Sequence, residues 1–217
     1  MKLLTAILVG CLVGASLQAV IVSEGIVKTV EGIAIPIVIH RPDQSDENCP
    51  VVFHVHGGGW NGGAKTVVPP ATVGPVAGML CDRLGIIFVG LGYRCKNQKG
   101  TFELAMGDLH DSVKWFNERA DSFGADLSRI GFSGGSAGTP LSALMAQQIP
   151  NCQNYLGLWG VYDFTNHKKS LFPNEEALQT YTIAAAPQAT AASAFHQLRA
   201  SPPTTLLRNA EAPALDL

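Results

Sequence analysis

Arg129-Ile130-Gly131-Phe132-Ser133-Gly134-Gly135-Ser136-Ala137-Gly138 is an apolar run that stops in a turn too rich in glycine to be ordinary. It reads as a nucleophile elbow, in which a serine sits on a sharp strand-to-helix turn. Small residues two before and two after it leave room for strained backbone and for a substrate carbonyl. Gly134 and Gly138 fill those places around Ser136. The same G-x-S-x-G pattern also fits one step earlier, with Gly131 and Gly135 around Ser133, so the motif alone does not choose the serine. Its surroundings do. Ser136 falls where the strand ends, Ala137 to Gln148 carries the helix that must follow, and Ser133 lies inside the strand.

Upstream, Val20 to His40 alternates and then becomes β-branched, predicting an edge hairpin or a pair of strands. Cys49 to His56 predicts a buried strand that stops at Gly57-Gly58-Gly59-Trp60, followed by a loop to about Pro75 and a helix over Val76 to Leu84. Ile86 to Tyr93 is near-continuously apolar, as in a parallel strand covered on both faces. Thr101 to Phe123 has helical spacing, with Leu104, Leu109, Val113 and Phe116 on one stripe, Asp108, Asp111, Glu118 and Asp121 largely outside it, and Gly124 closing it. Downstream, Tyr155 to Val161 and Thr204 to Leu207 predict two more strands, with a helical pattern over Glu175 to Ala185 between them. Strands alternating with helices predict an α/β fold with a mostly parallel sheet and helices on both faces.

With 47% hydrophobic against 15% charged residues in 217, the chain is globular, and a single domain over residues 20–217 suits its length. A net charge of -2 without a dense Lys/Arg cluster offers no footprint for nucleic acid. Residues 1–19 have Lys2, an apolar run from Leu3 to Val13 and a small-residue end, the pattern of a secretory signal peptide cleaved after Ala19. Export to the periplasm or the extracellular space follows from it; a lipoprotein signal acylated at Cys11 is the competing reading. No later segment is long and apolar enough to span a membrane. Cys49, Cys81, Cys95 and Cys152 then allow one or two disulfides in an oxidising compartment, or serve as small buried hydrophobes. Their spacing suggests no zinc site.

Acyl transfer by serine needs a base beside the nucleophile and N–H donors where the oxyanion forms. His56-Gly57-Gly58-Gly59-Trp60 after a buried strand frees consecutive backbone N–H groups to face one point, and the N–H of Ala137 completes such a pocket. H-G-G-G-W at 56–60, G-Y-R at 92–94, D-L-H-D-S-V-K-W-F at 108–116, G-A-D-L-S-R-I at 124–130 and G-G-S-A-G at 134–138 follow one another as in the α/β-hydrolase fold. The chain resembles the esterase/lipase branch of that fold, near the hormone-sensitive-lipase and BD-FAE groups, over about Ile33 to Leu207.

The resemblance implies a carboxylic ester hydrolase working through an acyl-enzyme at Ser136, with a Ser-Asp-His triad in that chain order and no metal or organic cofactor. Its substrates are expected to be small-molecule or polysaccharide esters. It maps Gly57, Gly58 and Ala137 onto the oxyanion donors and His56, Gly59, Trp60, Gly134 and Gly138 onto the supporting motifs. The other two triad members depart from the pattern. Where the family has H-G-x-x-D after its strand, this chain has Arg208-Asn209-Ala210-Glu211-Ala212, with Ala212 in the acid's place and Glu211 beside it. No histidine follows His196, so the base falls to His196 or His167, and Asp163 is an alternative acid or a turn residue. The family's last strand and helix have no counterpart here, which makes a C-terminally incomplete or diverged domain the expectation. It also keeps a second reading open: a catalytically impaired hydrolase-like protein with a binding role or no activity.

Other residues carry plainer readings. His54-Val55-His56 has an H-x-H form, but the glycines after it make His56 a shaper of the loop rather than a metal ligand. Trp60 and Trp115 read as packing residues, Tyr93-Arg94 and Asp108/Asp111 as hydrogen-bonding and ion-pair positions, and Lys168-Lys169 as a solvated charge pair.

Overall fold

The computed structural model describes residues 20–43, 48–61, 70–165, 191 and 204–208. Seven strands form one sheet: β1 (Val20–Val30), β2 (Ile33–Pro42), β3 (Cys49–Val55), β4 (Ile87–Leu91), β5 (Ala125–Gly135), β6 (Cys152–Leu158) and β7 (Thr204–Arg208). Their order is β1-β2-β4-β3-β5-β6-β7. The first two strands and the β2–β4 pair are antiparallel, and every later pair is parallel. Between them run α1 (Pro70–Leu84), α2 (Phe102–Asn117), the short α3 (Ala120–Phe123) and α4 (Gly138–Gln148).

The alternation of β3 divides the core. Val51, Phe53 and Val55 are fully buried on the side of α2 and α4. There Phe53 meets Phe116 of α2 edge-on at 5.3 Å and lies 5.2 Å from Phe132 of β5, a geometry that adds to area burial. The opposite face pairs Phe88 with Ala77 and Cys81 of α1, with Val52 packed against them. Helix α4 has no polar face over its first turns: Gly138 to Ala146 are all buried. Its polar side chains are satisfied locally, Ser142 Oγ donating to Thr139 O at 2.9 Å.

Three expectations need correction, and one pair of open readings is decided. Helix α1 starts at Pro70, not at Val76, so Gly74 and Pro75 lie inside it; proline suits a first helical turn, which hides the start from a reading that treats it as loop. Leu104 is exposed, and Asp108 is completely buried. Asp108 belongs inside because four donors converge on it: Arg94 donates from N, Nε and Nη2 at 3.0, 2.8 and 2.8 Å, and Lys28 Nζ of β1 lies at 2.7 Å. Burial raises the Asp108 carboxyl, but the bonds from Arg94 and Lys28 outweigh it and hold the group below its ordinary range. Lastly, Cys49, Cys81, Cys95 and Cys152 are buried and none is in a disulfide, so of the two readings left open the small-hydrophobe one stands. The helical pattern over 175–185 and the leader over 1–19 lie outside the described residues.

Candidate active site

Ser136 follows the last residue of β5 with φ 51, a left-handed conformation that a serine adopts only when its surroundings force it. Two hydrogen bonds hold it there: Ser136 N donates to Leu158 O of β6 at 2.8 Å, and its own carbonyl accepts Thr139 N of α4 at 3.0 Å. Thr139 Oγ1 ties the same turn to Gly134 O and Leu158 O at 3.1 and 2.9 Å. The Ser136 side chain is exposed at the top of the sheet.

Sterics decide between the two overlapping serine motifs. A Cβ on Gly134 would overlap Ser142 Oγ and come within 2.6 Å of Gly138 O, and one on Gly138 would overlap Val55 O. At Gly131 the nearest atom would be 3.4 Å away, and at Gly135 nothing lies within 4 Å. Glycine is therefore demanded around Ser136 and not around Ser133. Ser133 is buried in the strand, its Oγ bound to His54 Nδ1 at 2.9 Å.

Beside the elbow lies the 56–60 loop. A Cβ on Gly57 would sit 3.1 Å from Ser136 Cβ, so the two segments touch. Gly58 and Gly59 have φ 119 and 62, and Trp60 has φ 56, giving the loop three left-handed residues in succession. Among the described residues the N–H groups of Gly57, Gly58 and Ala137 donate no hydrogen bond. Gly57 is half-buried and Gly58 exposed, so those donors stand at the surface beside Ser136.

His56 is buried against Tyr93, ring centroids 4.5 Å apart and nearly parallel at 18°. Its Nδ1 lies 2.7 Å from Gly57 O; a carbonyl only accepts, so Nδ1 carries the proton. Burial lowers its pKa, against the raising effect of that bond, so the ring is the neutral Nδ1–H tautomer. Trp60 is buried and packs on Phe164 at 6.1 Å, the packing role expected of it. His54 stacks on Phe88 at 5.3 Å, and burial, with the neighbouring His56, lowers its ring to about 4.

Asp163 lies beyond the end of β6, where its Oδ1 accepts from Thr165 N and Oγ1 at 2.8 and 2.6 Å, an Asx-type turn. His167, His196 and Glu211 lie outside the described residues. Tyr93, a hydrogen-bonding position by sequence, lies beneath the glycine loop, and the G-Y-R that directly follows a buried strand is the local signal of it.

The BD-FAE family profile matches residues 37–212. Carboxylesterase NlhH of Mycobacterium tuberculosis is 35% identical over 114 residues, covering 52% of this chain and 34% of its own. Arylacetamide deacetylase of Oryctolagus cuniculus is 30% identical over 118 residues, covering 53% and 29%. The matched stretch thus spans about a third of the length of these curated relatives. Among solved structures, the Est2 esterase of the Planctomycetes species Thermogutta terrifontis superposes with TM-score 0.66 at 21% identity, over 89% of this chain and 70% of that one. The likeness establishes the fold as that of the α/β-hydrolases.

Proposed function

The chain belongs to the BD-FAE family, and from that premise we propose that it hydrolyses carboxylic esters through an acyl-enzyme on Ser136. The observation that carries the reading is the exposed, left-handed Ser136 touching a glycine loop whose N–H groups have no protein acceptor among the described residues. The Ser136 hydroxyl attacks the ester carbonyl, and the N–H groups of Gly57, Gly58 and Ala137 receive the oxyanion; the alcohol leaves, and water then releases the acid.

The base comes from a short list. Of the six histidines, His54 is bound to Ser133, His56 to Gly57 and His110 to Gln148, and His40 is buried on β2 against Phe88. Of this chain's histidines, His167 and His196 are the two we propose as candidates to take the serine proton, with Asp163 or Glu211 as the candidate acid that orients the ring. The substrates are carboxylic esters of small alcohols or of polysaccharides, since the esterase relatives point to esters in general. Residues 1–19 serve as an export signal in the same reading, which N-terminal sequencing of the exported protein tests.

The experiment is turnover of p-nitrophenyl acetate. The reading expects hydrolysis that vanishes in Ser136→Ala and falls sharply in either His167→Ala or His196→Ala. Engagement of four histidines elsewhere favours a second reading, a hydrolase-like protein that binds without turnover; absence of any Ser136-dependent hydrolysis would select it.

A further inference from the structure

The glycine loop is held at both ends by one neighbouring segment. Tyr93 Oη donates to His56 O at 3.0 Å, and Lys96 N donates to Trp60 O at 2.8 Å. Between these two residues, Arg94 is fixed to the buried Asp108 by three hydrogen bonds. Tyr93 itself is buried beneath the loop with its ring stacked on His56.

What these bonds do follows from the planarity of the peptide. The C=O of one residue and the N–H of the next belong to one rigid plane and point in opposite directions. Fixing His56 O therefore fixes the N–H of Gly57, and the Tyr93 hydroxyl does that. Fixing Gly57 O fixes the N–H of Gly58, and the His56 Nδ1–H does that. The next carbonyl, Gly58 O, accepts Asn61 N at 3.3 Å. Each of the two glycine-loop peptides that present a candidate oxyanion donor thus has its opposite end pinned by a side chain. Glycine backbones would otherwise be the least able to hold that orientation.

We propose that Tyr93 and His56 are positioning residues for ester hydrolysis: the Tyr93 hydroxyl and the His56 imidazole orient the Gly57 and Gly58 N–H groups toward the oxyanion by pinning the carbonyl of the same peptide unit. The proposal rests on the hydrolase reading. Burial raises the Tyr93 phenol well above its ordinary value, so the hydroxyl stays a donor throughout the working range. The effect belongs to the transition state rather than to the bound ester, because the negative charge on the carbonyl oxygen develops only as the serine attacks.

Tyr93→Phe keeps the stacked ring and removes only the donor. Its kcat for p-nitrophenyl acetate should fall at least about tenfold, short of the hundredfold or more that loss of a whole donor costs, with KM within about twofold. Val113→Ala, a core truncation on α2, supplies a stability control: its kcat should stay at the wild-type level even though its unfolding temperature drops. Amide NMR gives a readout that does not depend on turnover. In Tyr93→Phe the Gly57 and Gly58 signals should shift or broaden, while those of Ala77 to Cys81 on the far face stay in place. Unmoved Gly57 and Gly58 signals would overturn the proposal whether or not the protein is active. Moved signals with unchanged kcat would overturn it as well. An inactive wild type would sink the hydrolase reading and the catalytic part of this proposal with it, leaving the NMR result to judge the clamp.

Discussion

Gly57 lies so close to Ser136 that a Cβ on it would sit 3.1 Å from Ser136 Cβ and 2.8 Å from Gly135 O. These are tighter than carbon and oxygen tolerate, so a side chain at position 57 must push the glycine loop off the elbow. Gly57→Ala should fold, because its φ is not left-handed, yet lose about a hundredfold in kcat/KM as the donors leave the oxyanion position. Ester turnover beside a far-ultraviolet spectrum of the same sample checks both halves. Full activity in a folded variant would contradict the placement of the donors.

The choice of serine register makes a stability prediction that needs no substrate. Gly138→Ala and Gly134→Ala force a methyl into backbone or side-chain oxygen and should each destabilise by about 1–3 kcal/mol or more. Gly135→Ala meets nothing within 4 Å and Gly131→Ala meets its nearest atom at 3.4 Å, so both should stay within about 1 kcal/mol of the parent. Denaturant melts of the four variants measure the contrast.

Asp108 is the hub between α2, the segment after β4 and the edge strand β1, through Arg94 and Lys28. Asp108→Asn leaves two cations without their buried carboxylate and should cost about 3 kcal/mol, seen as a fall in unfolding temperature of about 10 °C. A change of less than about 1 kcal/mol would mean that the buried pair adds little beyond what an amide supplies.

Several buried groups act at acid pH, His40 and His56 among them; His54 and Asp108 show the effect at two different pH values, and both act in the same direction. His54 is lowered from 6.5 to about 4, so the unfolded chain binds its proton first and stability falls as the pH drops from 6.5 toward 4, by about 3 kcal/mol. Asp108 is held below its ordinary value, so its contribution is present above that value and disappears at still lower pH. Urea unfolding between about pH 7 and pH 4 reads the first window, and an NMR titration of the His54 ring should show its inflection near 4. An inflection near 6.5 would contradict the burial of that ring.

The cysteines give a redox prediction. Burial raises the Cys81 and Cys95 thiols to about 11, and none of the four described cysteines is in a disulfide. Native protein should resist a thiol reagent that reacts readily once it is denatured, and its mass should be unchanged by reduction.

The backbone plan was legible in the sequence because its signals are local. The β-branched run at Ile33 to His40, the abrupt glycines after Val55 and the turn at Ser136 each declare themselves within about ten residues. Asp108 was not legible as a buried residue. A helical stripe is drawn through apolar side chains, and the reason for its burial lies in Arg94 and in Lys28 of the edge strand. The pairing of Tyr93 with His56 was hidden for the same cause: two separate strand ends meet only once the sheet forms. The even cysteine count left two readings open because it reports composition, whereas a disulfide needs two thiols facing one another.

Whether Ser136 is a reactive nucleophile is read out most directly by covalent labelling. The protein is treated with a fluorophosphonate, digested, and the adduct mapped by mass spectrometry. A single adduct is expected on Ser136, abolished in Ser136→Ala and blocked by prior acylation with p-nitrophenyl acetate. An adduct on Ser133, or no adduct on a folded protein, would contradict it.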